Sequence, residues 1–145
     1  MWRISHVAVL IIGSAIAALL SSCVPKPDDE PFATVYVEVI RANRGVLDAS
    51  LSDFAERNDF EIAVGDVGSN DQIFHTIHLV RGNAQVIAVD AFNRECFSVS
   101  LYGAGLMNRM NESDKDALSA DIKRSLSARA ELKLLMDTTA KSRNC

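Results

Sequence analysis

The chain has 145 residues, with 15 Lys and Arg against 19 Asp and Glu, so its formal net charge is −4. This length supports one domain around a single core and is too short for two. The mildly acidic balance, without a basic cluster, disfavours binding to nucleic acid.

Residues 1–22 are predicted to be an export signal. Arg3 is the one Lys, Arg, Asp or Glu in this stretch, and residues 7–20 form a run without such charges. A membrane-spanning helix needs about 20 apolar residues, so this shorter run is typical of a signal peptide that is removed. An uncleaved N-terminal anchor helix is the disfavoured alternative.

The apolar run ends in Leu20-Ser21-Ser22-Cys23. This stretch resembles the lipobox of bacterial lipoproteins, in which Leu and small residues precede an invariant Cys. The resemblance implies cleavage before Cys23 and acylation of that residue, which would anchor the protein to a lipid bilayer. It also favours the outer membrane, with the protein facing the periplasm, because Val24 rather than Asp follows the cysteine.

A polar tether, residues 23–30, is expected to join the anchor to a single domain, residues 31–145. Acidic residues and Pro31 are helix-start signals, and apolar residues then recur at helical spacing, so we predict a helix over about 31–57. The apolar positions are Phe32, Tyr36, Ile40, Leu47, Leu51 and Phe54. The β-branched stretch at residues 35–40 favours a strand instead, and this alternative is left open.

Four strands are predicted next, over residues 60–64, 72–81, 84–91 and 96–102. Gly82 and Asn83 form a two-residue hairpin signal, and residues 92–95 make a second tight connection. Strands joined by such short turns are antiparallel.

The last of these strands alternates between two faces. Phe97, Val99 and Leu101 share the apolar face, and Ser98, Ser100 and Tyr102 share the polar one. Tyr with Ser is a common recognition pairing, so the polar face is a candidate partner surface. A merely solvated sheet face is the competing interpretation.

A second helix is predicted over about 112–128, starting from a capping box at Ser113. Residues 130–137 alternate as in a closing strand, although the helical pattern also continues there. The predicted fold is therefore a two-layer α+β sandwich: an antiparallel sheet of four or five strands with two helices on one face.

Cys96 and Cys145 remain once Cys23 is assigned to lipidation. In an oxidising compartment they are predicted to form a disulfide. A reactive thiol or redox pair is the alternative, but the sequence has no Cys-x-x-Cys.

Sites for catalysis, metals or cofactors are not indicated. His75 and His78 lie on a predicted strand, where an odd spacing sends them to opposite faces, so a metal site is disfavoured. Gly103 and Gly105 lack the third glycine of a dinucleotide loop, because Asn108 stands there. A serine hydrolase and a pair of catalytic carboxylates likewise have no motif to support them.

The sequence thus predicts a non-catalytic lipoprotein of the bacterial envelope that binds another envelope protein or a cell-wall component. A periplasmic inhibitor or immunity-type lipoprotein against a hydrolase is the alternative. An enzyme whose site is assembled from distant residues is less favoured. Arg41, Arg44 and Arg57 are expected to solvate the outer side of the first helix, with a membrane-facing basic stripe as the alternative.

Overall fold

The computed structural model describes residues 26–39, 44–69, 72–90, 96–105, 109–142 and 145. The elements in chain order are β1 (Ala33–Val39), α1 (Arg44–Arg57), β2 (Glu61–Ser69), β3 (Gln72–Arg81), β4 (Ala84–Asp90), β5 (Cys96–Gly103), α2 (Glu112–Ser127), β6 (Leu132–Leu135) and α3 (Asp137–Ser142). None of the helices in these described ranges combines the length and the apolar character that a membrane span requires.

All six strands form one antiparallel sheet in the order β2-β3-β4-β5-β1-β6. The hairpins β2-β3-β4-β5 follow the chain, whereas β1 inserts between β5 and β6. The predicted α+β class with an antiparallel sheet is confirmed. The predicted number of elements is too small, because the sheet has six strands and three helices lie in the described residues.

The core lies between one face of the sheet and the helices α1 and α2. Inward side chains of the strands pack against the apolar sides of both helices in one cluster. Its largest fully buried apolar members are Phe54, Phe97, Leu47, Leu51, Ile77, Leu79, Leu101, Ile122 and Leu126. Burying each such side chain contributes about 1.5–3 kcal/mol, so this layer holds the helices on the sheet.

The prediction of one helix over 31–57 is wrong in its first part. Residues 33–39 form strand β1, in which Val35, Val37 and Val39 are buried and the residues between them are partly exposed. The alternative of a strand at 35–40 is the correct one as far as Val39; Ile40 lies outside the described residues. β1 pairs with β5 and β6, which lie far along the chain. The burial of its valines therefore depends on a sheet that residues 31–57 alone do not indicate.

The second predicted helix is confirmed as α2, but its start differs. Asn111 is the N-cap, and its side-chain oxygen accepts a 2.8 Å hydrogen bond from the backbone N–H of Asp114. Ser113 is therefore inside the helix and does not cap it. The closing strand predicted within 130–137 is confirmed as β6, while the short helix α3 was not predicted.

The Gly82-Asn83 hairpin is confirmed between β3 and β4, with Arg81 opposite Ala84. The predicted connection at residues 92–95 lies outside the described residues. β2 runs on to Ser69, five residues beyond the end of the strand predicted over 60–64.

Candidate functional site

The sheet face opposite α1 and α2 is called the open face here. Ser98, Ser100 and Tyr102 lie at its centre, on strand β5, and all three are partly exposed. Phe97, Val99 and Leu101 are fully buried on the other side of the strand. The structure thus places the three predicted partner-surface residues together, on the side of the sheet that the two long helices leave uncovered.

The neighbours of these residues make the centre of the open face uncharged. Tyr36 lies opposite Ser98, and Thr34 lies opposite Ser100, with 3.2 Å between their hydroxyl oxygens. On the other side, Val89 and Ile87 pair with the same two serines. A broad surface of hydroxyl, aromatic and aliphatic groups suits contact with a protein better than capture of a small charged ligand.

The C-terminal residue lies against one end of this face. Cys96 is 1% exposed and points to the open face, because Phe97 points to the core. The sulfur atoms of Cys96 and Cys145 are 1.96 Å apart, which is bonding distance, and 49 positions separate the residues in sequence. The predicted pair is therefore brought together where β5 begins.

A cluster that the sequence did not predict surrounds His75 on the core side of the sheet. Its Nε2 lies 2.9 Å from Asp48 Oδ1 of α1, and its Nδ1 lies 3.0 Å from Asp66 Oδ1 of β2. The backbone N–H of His75 donates to Asp90 Oδ1 of β4, and the ring meets Phe97 of β5 edge-on. The His75 cluster, defined as His75 with Asp48, Asp66 and Asp90, thus links four elements.

The contacts of His75 favour its charged form. Burial lowers the pKa of the imidazole, but hydrogen bonds and charge attraction from Asp48 and Asp66 outweigh burial and raise the pKa above its ordinary value of 6.5. Since each ring nitrogen faces a carboxylate, an imidazolium donates to both. The ring in this state has no lone pair for a metal or for accepting a proton, so in its charged form the cluster is a cross-link between elements.

His78 points to the open face, as its odd spacing from His75 predicts, and its Nε2 lies 2.9 Å from Gln85 Oε1. The strands β3, β4 and β5 lie side by side, so His78 and Ser100 are two strand spacings, roughly 10 Å, apart. This separation is too long for a histidine to activate a serine. Within the described ranges, no group of three or more His, Cys, Asp or Glu residues is placed to hold a metal ion.

A groove of about 450 Å³ runs between α1 and α2 and is lined by charged residues. Arg129 pairs with Asp53 at 2.6 Å, and Arg124 pairs with Asp121 at 3.1 Å. Arg57 donates to the Ser125 hydroxyl across the groove, so it does not simply solvate the outer side of α1 as predicted. These arginines contact acidic or polar partners, and the arrangement is that of a helix–helix interface with a polar rim.

Arg41 and the side chain of Arg44 are not among the parts of the chain that the structure describes.

Backbone groups of Gly103, Ala104 and Gly105 are hydrogen-bonded to other parts of the chain. Asp28 N–H donates to Gly103 O at 2.8 Å, Ala104 N–H donates to Asn83 O at 3.1 Å, and Gly105 N–H donates to Lys26 O at 3.4 Å. Gly105 has a φ of 78°, a backbone conformation that favours glycine. The Gly103 carbonyl and the Gly105 N–H thus hold the N-terminal segment, residues 26–32, and the Ala104 N–H holds the β3-β4 turn, so the amides of Ala104 and Gly105 are not presented to a phosphate.

Comparison of the chain with protein-family models, with curated proteins and with solved structures gives no match.

Proposed function

We propose that this protein is a lipid-anchored component of the bacterial envelope that binds another envelope protein or a cell-wall component through the open face of its sheet. The anchor is Cys23, and the site of action is the periplasmic side of the outer membrane. The single observation that carries the proposal is the lipobox-like stretch at residues 20–23, placed at the end of an apolar run. Several acyl chains on one cysteine would hold a small domain on the bilayer far more firmly than one chain.

Replacing the anchoring cysteine tests the first half of the proposal. The Cys23→Ala variant should leave the membrane fraction or accumulate as a precursor, while Ser22→Ala keeps a small residue before the cysteine and should behave as the wild type. Mass spectrometry of the wild-type protein should find an acylated N-terminus at residue 23. A Cys23→Ala protein that stays in the membrane fraction, together with an unmodified Cys23 in the wild type, would contradict the anchor.

Binding at the open face is supported by the uncharged centre around Ser98, Ser100 and Tyr102. A photo-crosslinking amino acid in place of Tyr102 should capture the partner in intact cells. The matched control is the same amino acid at Lys123, which is exposed on α2, on the other side of the sheet. Capture of the partner from position 123 but not from position 102 would indicate that the partner binds the helices and not the open face.

The identity of the captured partner separates the two candidate roles. An envelope structural protein or cell-wall material supports the accessory role. A basic hydrolase, inhibited on mixing, would support the inhibitor or immunity alternative. The acidic balance of the chain fits a basic enzyme.

A further inference from the structure

The N-terminal segment is bound to the domain almost as far as the proposed anchor. Pro27 forms a β-bridge with Ala104, and the hydrogen bonds of Asp28 and Lys26 to Gly103 and Gly105 extend this pairing. Gly103 leaves room for it, because a Cβ there would lie 2.5 Å from Asp28 Oδ2. The chain is therefore attached to the domain from Lys26 onward, and only Val24 and Pro25 separate Lys26 from Cys23.

So short a connection limits how far the domain can stand from the bilayer. The three consecutive Cα–Cα distances from Cys23 to Lys26 span at most about 11 Å when the chain is fully extended. A headgroup layer takes roughly 5–8 Å of that reach, since a bilayer is about 40–45 Å thick and its hydrocarbon core about 30 Å. The residues around Lys26 must then lie within a few ångströms of the lipid surface.

The hydrogen bonds identify which end of the sheet this is. Ala104 bonds to Asn83, so the β3-β4 turn lies next to the attachment point. The other ends of the same strands carry the His75 cluster and Cys96, about 20 Å away, because β4 rises about 3.3 Å per residue between Ala84 and Asp90.

We infer that the domain stands end-on on a phospholipid bilayer, with the turn at Gly82 and Asn83 next to the headgroups. This inference rests on the proposed lipid anchor at Cys23. The open face then stands upright beside the membrane, accessible from the side, and the His75 cluster is at the outermost end. Near the anchor there are three exposed acidic residues, Asp28, Asp29 and Glu30, and one exposed basic residue, Lys26. The net charge there is negative, so the short connection and not charge attraction to anionic lipid sets this orientation.

Distance to the lipid headgroups tests the orientation in the mature lipidated protein. Single fluorophores are attached at Gly82→Cys and at Glu131→Cys, in vesicles of phosphatidylethanolamine and phosphatidylglycerol that contain nitroxide-headgroup lipid. A side chain at Gly82 meets no atom within 4 Å. Glu131 is exposed and precedes Leu132, which pairs with the last residue of β1, so it marks the far end. The label at Gly82 should be quenched on the order of threefold more than that at Glu131, given roughly 20 Å between the two ends.

Lengthening the connection provides the matched control. Ten Gly and Ser residues inserted between Pro25 and Lys26 add a flexible reach of about 18 Å and should abolish most of the difference. Equal quenching of the two original labels, or stronger quenching at Glu131, overturns the orientation while leaving the anchor intact. Unchanged quenching after the insertion shows that the domain binds lipid by itself, which overturns the short connection as the cause of the orientation. A mature protein that does not enter the vesicles overturns the anchor instead.

Discussion

At the scale of single residues, His75 is held by carboxylates at both ring nitrogens and at its backbone N–H. Its side chain is 13% exposed, while those of Asp48 and Asp66 are 32% and 60% exposed. The contacts of His75 with the two carboxylates therefore lie at the edge of the core, where water screens them less than at a fully exposed position. Asp48 comes from α1 and Asp66 from the edge strand β2, so one imidazole ring connects the edge of the sheet to the helix layer.

The raised pKa of His75 predicts a pH dependence of stability. The folded protein holds the proton more tightly than the unfolded chain, so this contribution is fully present below about pH 6.5 and is lost as the pH rises through the higher folded pKa. The His75→Asn variant should lose on the order of 1–2 kcal/mol of unfolding free energy at pH 6, and less at pH 9. Urea titrations at both pH values measure it.

His78→Asn is the matched control, because it removes the histidine that faces the other side of the same strand. It should keep the fall in stability between pH 6 and pH 9. A His75→Asn protein whose deficit is the same at both pH values would show that the cluster is not charged.

At the scale of elements, α2 depends on its N-terminal cap. Asn111→Ala should lower the unfolding free energy by about 1 kcal/mol, because the N–H of Asp114 loses its acceptor. Ser113→Ala removes the residue that the sequence suggested as the cap and should change little. Asn111→Asp, which keeps an acceptor at the cap, should stay near the wild type. Urea midpoints for the three variants decide between the two caps, and a larger loss from Ser113→Ala would contradict the structure.

The elements that sequence patterns predicted correctly are those whose signals are local. The β3-β4 hairpin follows from Gly82 and Asn83, and β5 follows from clean alternation. β1 was misassigned because Phe32, Tyr36 and Ile40 continue the helical spacing of the apolar residues in α1. The choice depended on pairing with β5 and β6, which lie far along the chain.

The same limit applies to the sites. Ser98, Ser100 and Tyr102 were grouped correctly because their two-residue spacing puts them on one face of any strand. The sequence does not indicate the His75 cluster, since Asp48 is 27 positions from His75. Asp48 also lies on α1, which begins at Arg44 and not at residue 31 as predicted. Only the packing of α1 over the edge of the sheet brings these groups together.

At the scale of the whole molecule, the predicted disulfide would tie the last residue of the chain to the central strand β5. Cross-linking residues 49 positions apart stabilises a domain by about 4 kcal/mol in the chain-entropy model. Cys145→Ser should lower the unfolding free energy by about that amount under oxidising conditions. Reduced wild type should match the variant, and a wild type whose urea midpoint does not respond to reductant would contradict the bridge.

The strand order also has a consequence for how the protein reaches its final state. Among the described strands β1 comes first in the chain, yet its hydrogen-bonding partners, β5 and β6, come last. It cannot be paired until β5 at residues 96–103 is available, nor on both sides until β6 at residues 132–135 is, and such non-local pairing is slow to form. A chain exported N-terminus first would therefore cross the membrane with its sheet incomplete, and would fold only when its C-terminal half has followed. In a chain exported as proposed, the topology itself would delay folding until after translocation.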